Sequence, residues 1–317
     1  MEPYMSEKFV IIADFTCDLS RELRDSFGVE DYARGYVSLG DGREIYATLD
    51  WEETEREEFY KTLSNKKLNV STSPASPEEY YQIFKKYIEQ GTGVLSMSLS
   101  SAISSTYNAA CMGAQRVKEE FPNAKIYCFD TLRMSGAFGL LVMYAHDMKR
   151  DGKSFDEIVS WLEAHKLCVH QMGPIDDLMF VARRGRISMG KAIMGSFAGV
   201  KPMGDCNRGG YVSVLTKVKG MGKALDITAK YIKEMATDIE NSYVLVSHSN
   251  REQYAEELKR MIEETVSPKK VFVCDVFPGS GANIGPGMVG AYFLGEEVTE
   301  DLSREKDVMD KLLEKAK

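Results

Sequence analysis

Short apolar runs rich in β-branched residues alternate with longer amphipathic stretches through most of this chain. Phe9-Val10-Ile11-Ile12-Ala13 is a compact apolar run of the kind that forms a strand buried on both faces. It ends in Asp14-Phe15-Thr16-Cys17-Asp18, and a helix is expected over 20–27. Asp14 and Asp18 stand just past a strand, where ligands gather in open α/β sheets, and Asp18 fits equally well as an N-cap. Tyr36-Val37-Ser38-Leu39 followed by Gly40-Asp41-Gly42 has the form of a hairpin. Residues 51–63 read as an acidic helix with Phe59 and Leu63 turned inward. Ser76-Pro77-Glu78-Glu79 opens another helix, with a Ser cap, Pro in the first turn and acids on the positive end of the dipole. Its stripe of Tyr80, Ile83, Phe84, Tyr87 and Ile88 is a core face.

A strand at 94–97 then leads through a serine-dense loop into a helix that runs to 120, with Ala110, Ala114, Val117 and Phe121 on one side. Lys125-Ile126-Tyr127-Cys128-Phe129-Asp130 is a further strand, and Ser135-Gly136-Ala137-Phe138-Gly139 opens a small-residue helix able to approach another backbone or a ligand closely. A turn at 149–153 and a helix at 154–165 follow. This alternation predicts an N-terminal α/β domain, residues 1–166, built on a parallel sheet flanked by helices. Beyond it the rhythm changes. Strands are expected at 167–172, 211–215, 243–247 and 270–276, and helices at 176–183, 190–199, 222–240 and 250–265. Asn207-Arg208-Gly209-Gly210 marks a hairpin. Residues 167–317 therefore read as a second α/β domain with a mixed or antiparallel sheet. Within it, 277–288 has the composition of a flexible loop that exposes backbone N–H groups, and 296–317 that of a charged surface helix.

A length of 317 residues suits two domains, and 44% hydrophobic with 28% charged residues is ordinary for a globular protein. The net charge of −8 argues against a sequence-independent grip on nucleic acid. No signal peptide is recognisable at the start and no apolar run reaches membrane-spanning length, so a cytoplasmic protein is expected. The six cysteines lie far apart with no CxxC pair, as expected of free thiols in a reducing compartment. The four histidines are equally dispersed, and neither a metal nor a cofactor is expected.

The candidate chemistry lies in hydroxyl-rich turns. Ser98-Leu99-Ser100-Ser101-Ala102-Ile103-Ser104-Ser105-Thr106-Tyr107 offers hydroxyls and free backbone N–H groups at a helix start, without a charge. That suits an anion such as a carboxylate or phosphate held by neutral donors, and equally an ordinary helix cap. Ser71-Thr72-Ser73-Pro74-Ala75-Ser76-Pro77 is a second such turn. No Gly-x-Ser-x-Gly elbow is present to make any of these serines a nucleophile, and His248 reads as a strand-end or capping residue.

Taken in order with Asp14-Phe15-Thr16-Cys17-Asp18-Leu19, Arg184-Gly185-Arg186-Ile187-Ser188, Gly195, Lys201-Pro202 and Gly285-Pro286-Gly287, these turns closely resemble the bacterial DegV family over nearly the whole chain. The resemblance implies a two-domain α/β protein that holds one long-chain fatty acid in a tunnel between its domains. Hydroxyl-rich turns would bind the carboxylate, and a separate fatty acid kinase subunit would phosphorylate it. By position it implies contacts from Thr72, with Ser73 beside it, and from Ser101 together with Ser100 and Ser104. Arg186 would lie near the head group or on the kinase-docking face, and Asn283 stands where the family usually has a His. Asn donates a hydrogen bond but does not titrate, so carboxylate binding survives the change while proton transfer at that point does not. Phe15, Pro74-Ala75, Ala102 and Ser105 are further departures. Each buried CH₂ of an acyl chain contributes roughly 0.8 kcal/mol, so chain burial would dominate affinity. The 17 methionines would suit an adaptable pocket or simply fill the core. A different carboxylate or a phosphorylated small molecule, a ligand-dependent regulator, and a serine hydrolase are the competing readings.

Overall fold

The computed structural model describes residues 8–187 and 199–315. All but the last residue of the helix expected at 190–199, and with it Ser188, Met189, Met194 and Gly195, lies outside the described residues. The first half of the chain forms β1 (Phe9–Asp14), α1 (Arg21–Phe27), β2 (Tyr32–Ala33), β3 (Gly35–Ser38), β4 (Glu44–Ala47), α2 (Arg56–Ser64), β5 (Ser71–Ser73), α3 (Pro77–Ile88), β6 (Gly93–Ser98), α4 (Thr106–Glu120), β7 (Ile126–Asp130), α5 (Ser135–Arg150) and α6 (Phe155–His165). The second forms β8 (Val169–Met172), α7 (Leu178–Arg183), β9 (Val200–Cys206), β10 (Val212–Lys219), α8 (Met221–Met235), β11 (Tyr243–His248), α9 (Glu252–Thr265), β12 (Lys270–Asp275), α10 (Pro278–Ile284), β13 (Val289–Leu294) and α11 (Ser303–Lys315).

Strands β2-β1-β6-β7 make the expected parallel sheet. Every residue of β1 and β6 is buried, because helices cover both faces. On one face Val10, Ile12 and Val94 pack against Tyr80 and Phe84 of α3 and Ala110 of α4. Both α3 and α6 start in capping boxes, Ser76 with Glu79 and Ser154 with Glu157, so free N–H groups at each helix start are satisfied locally. The second sheet, β12-β11-β13-β8, is mixed: β11 and β12 are parallel, and β13 runs antiparallel to both its neighbours. Helices α8, α9 and α11 cover one of its faces.

Helix α5 lies between the two sheets and is buried nearly all round, as an apolar helix without a polar stripe must be. It shares one core with Ile11 and Leu95 of the first sheet and Leu245 and Tyr292 of the second. The small residues at its start permit this. A Cβ at Gly136 would stand 2.4 Å from the Tyr292 ring.

Two stretches differ from their sequence reading. Thr72 and Ser73 sit on β5 rather than in a turn, at the edge of a small antiparallel sheet β4-β3-β5. Residues 277–288 are not a flexible loop, because they include α10, of which 278–282 are buried against Phe59, Tyr60 and Phe15. Strand β13 went unrecognised, although it is the central partner of β11 and β8. Among the described residues no helix is long and apolar enough to cross a membrane. All six cysteines are free, with Cys17, Cys206 and Cys274 buried and the others partly so.

Asp18 is not the N-cap of α1; Ser20 accepts the Leu23 N–H instead, at 3.4 Å. Asp18 joins the parts of the fold. Its Oδ2 is 2.6 Å from Ser135 Oγ at the start of α5, and its Oδ1 accepts the Phe277 N–H ahead of α10 at 3.0 Å. Burial pushes its carboxyl up from 3.8 to about 7 against the pull of these hydrogen bonds. The folded state therefore holds the proton more tightly, and stability from this group is lost as the pH rises from about 4 through 7. Asp18→Asn keeps an acceptor for Phe277, adds a donor toward Ser135, tolerates the φ of 48° and does not ionise. Denaturant unfolding at pH 5 and pH 8 should show the variant gaining about 2 kcal/mol on the wild type over that interval. Parallel pH dependences would show that Asp18 does not titrate there.

Candidate functional site

The turns after β1 and β6, the start of α5, and α10 surround a cavity of about 170 Å³, more than ten times the space one water needs. Leu99, Ile103, Met134, Met172, Ile175 and Met288 form much of its apolar wall. Phe15, which replaces the small hydroxyl residue of the family pattern, also faces it; a Cβ at Gly279 would stand 2.4 Å from that ring.

Four of the residues singled out from the sequence line this cavity: Thr72, Ser104, Arg186 and Asn283. Thr72 is fixed by its register opposite Val37, and Asn283 projects from the last turn of α10. The Asn283 amide donates to Thr72 Oγ1 at 3.1 Å and to the Gly279 carbonyl at 3.4 Å. Both contacts use Nδ2, so Asn283 orients the threonine, and the hydroxyl hydrogen of Thr72 remains available to a ligand oxygen. Ser104 Oγ is 2.8 Å from Thr106 Oγ1 and accepts the Thr106 N–H at 3.3 Å, so it braces the start of α4 as well as facing the cavity. Arg186 donates to the Arg184 carbonyl and has no carboxylate partner among the described residues. Burial, with Arg183 and Arg186 beside it, holds the Arg184 guanidinium below its usual range. Of these three arginines Arg186 is the one on the cavity lining.

Ser73, Ser100 and Ser101 do not line the cavity. Ser73 is exposed on β5, where alternation turns it to the face opposite Thr72. Ser100 is buried, with its N–H on the Arg133 carbonyl at 2.9 Å and its Oγ accepting the Ala102 N–H at 3.3 Å. Ser101 is exposed, with its N–H on Asp130 Oδ1 at 3.1 Å. The serine loop is thus mostly engaged in holding its own shape. His248 is outside the cavity as well and accepts the Arg251 N–H at 3.3 Å, a capping role at the end of β11.

Asp14 fixes the geometry from below. Its Oδ1 accepts from the Thr16 N–H and hydroxyl at 2.8 and 2.5 Å, and its Oδ2 accepts the Leu99 N–H at 2.8 Å. One carboxyl thereby joins the turn after β1 to the serine loop. Burial pushes it up to about 6, against those three hydrogen bonds.

Thr16, Ser135, Gln171, Ser280 and Tyr292 also line the cavity and were not singled out from the sequence. Ser280 donates to the Thr16 carbonyl at 3.2 Å. Ser135 adopts φ 51° beside Asp18 at 48°, two left-handed non-glycine residues bonded to each other at the cavity wall, where such strain commonly collects. Only the small-residue helix start hinted at Ser135; Gln171 and Tyr292 sit on strands with no distinguishing motif. No group of three His, Cys, Asp or Glu able to hold a metal is found among the described residues.

The model of the family described as "Uncharacterised protein, DegV family" matches residues 8–296. A DegV domain-containing protein of Clostridium perfringens is 32% identical over 293 residues, which cover 92% of this chain and 98% of that one. Among solved structures, a fatty-acid-binding DegV family protein from Thermus thermophilus superposes with a TM-score of 0.81 at 24% identity, over 91% of this chain and 99% of that one. The fatty acid kinase B3 protein of Streptococcus pneumoniae, loaded with linoleic acid, gives 0.77 at 17% identity, over 91% of this chain and the whole of that one. The motif order, the two-sheet architecture and the match along the chain lead to one conclusion: this chain belongs to the DegV family.

Proposed function

We propose that the chain binds one long-chain fatty acid in this cavity and presents its carboxylate to a separate fatty acid kinase subunit. The observation that carries the reading is the Thr72–Asn283 pair at the edge of an apolar cavity, with Arg186, which has no carboxylate partner among the described residues, on the same lining. A carboxylate leaving water needs several fixed donors, or its desolvation cancels the gain from chain burial. Thr72 Oγ1, Ser104 Oγ and Arg186 are the donors in the lining that this reading assigns to the carboxylate. The apolar residues supply the rest, at roughly 0.8 kcal/mol for each buried CH₂. The T. thermophilus relative binds a fatty acid and the S. pneumoniae relative is a fatty acid kinase protein carrying one, which supports both halves of the reading. A carrier role in the cytoplasm, with the domain boundary near residue 166, belongs to the same reading. It makes the chain a binding protein whose chemistry is done by its partner.

Thr72→Val keeps the shape of the side chain and removes the hydroxyl. Calorimetric titration with oleic acid should show binding weakened by about tenfold or more, the loss expected for a hydrogen bond to a charged group. Unchanged affinity would place the carboxylate elsewhere. Asn283→His should add a cation near the head group as the pH falls through about 6.5. Relative to wild type, its affinity should then rise on acidification. A variant-to-wild-type ratio that is flat between pH 5 and 8 would put residue 283 out of reach of the head group.

A further inference from the structure

One wall of the cavity is more polar than an acyl chain requires. Gln171 of β8 and Tyr292 of β13 are direct partners across the antiparallel pair, and both line the cavity. Gln171 Oε1 is buried and has no hydrogen-bond partner among the described residues. A buried amide oxygen in this state is costly, and the cost is removed only by a donor that reaches it. The strand gives the side chain little freedom to leave: the Gln171 N–H is held by Asp205 Oδ1 at 2.9 Å, and Asp205 Oδ2 is itself 2.6 Å from His170 Nδ1. The amide turns about its terminal torsion, so either end can be presented to the cavity. Beside it the Tyr292 hydroxyl meets Ser135 Oγ only at 3.4 Å, a long contact that leaves both hydroxyls able to take another partner.

This wall is set apart from Thr72 and Asn283. Ser135 is tied through Asp18 to Phe277, just ahead of α10. Asn283 stands six residues further along, about 9 Å at the helical rise. A chain whose carboxylate lies at Thr72 on β5 and whose tail runs to the second sheet meets Gln171 and Tyr292 beyond its head.

We propose that Gln171, with Tyr292 and Ser135, forms a second polar station, and that the preferred ligand is a fatty acid bearing a hydroxyl part-way along its chain. The inference rests on the fatty acid reading given above. A hydroxyl both donates and accepts, which matches an amide and two hydroxyls on one wall. An unsubstituted chain leaves the same groups facing methylenes.

Oleic and ricinoleic acids differ by one mid-chain hydroxyl, and calorimetric titration of the delipidated protein with each provides the test. In the wild type, ricinoleic acid should bind the more tightly. In Gln171→Met the ratio of the two dissociation constants should shift toward oleic acid by about three- to tenfold, the range of one neutral hydrogen bond. Thr72→Val should weaken both acids and leave the ratio where it was. Tyr292→Phe provides the same readout should Gln171→Met fail to fold. A ratio that favours oleic acid in the wild type, or one that neither station variant alters, overturns the proposal and leaves water as the partner of Gln171. If neither acid binds the wild type, the fatty acid reading itself falls.

Discussion

Two carboxyl groups buried behind the first strand hold the cavity walls together. Asp14 and Asp18 are both wholly buried, and each gathers donors from segments far apart in sequence. Asp14 takes the Thr16 and Leu99 N–H groups, while Asp18 reaches Ser135 and Phe277. A carboxyl out of water is expensive unless its oxygens are occupied, so each is satisfied only when these segments meet. The turn after β1, the serine loop, the start of α5 and the start of α10 are thereby fixed relative to one another before any ligand enters. Burial still raises both groups, to about 6 and about 7. The frame of the cavity is therefore sensitive to pH in the neutral range, by the sign worked out for Asp18.

Much of the frame is legible in the sequence, for a physical reason. Strands buried on both faces must be apolar throughout, so Phe9–Asp14 and Gly93–Ser98 stand out as runs. Helix starts carry their own chemistry, as at Ser76 and Ser154. Strand β13 escaped because Val289–Leu294 follows a glycine-rich stretch and pairs only with strands distant in sequence. Residues 277–288 misled for a related reason. Glycines that usually loosen a chain here let α10 approach Phe15, so tertiary packing overrides local propensity.

The site was legible in part. Thr72, Ser104, Arg186 and Asn283 all face the cavity, whereas Ser73, Ser100 and Ser101 do not. Alternation along β5 separates Thr72 from Ser73. In the serine loop the hydroxyls are equivalent on paper, and only the structure shows Ser100 Oγ taken up by the Ala102 N–H and Ser104 Oγ by Thr106. Asn283 is the instructive residue. It lines the cavity, and its amide nitrogen donates to Thr72 and Gly279. That contact fixes which way the threonine hydroxyl points.

Whether the cavity holds a long-chain fatty acid is decided by native mass spectrometry of the purified protein, followed by solvent extraction and chain analysis. A single adduct per chain, identified by extraction as a fatty acid, is expected. A protein that is empty as purified, and stays empty when fatty acids are added, would contradict it.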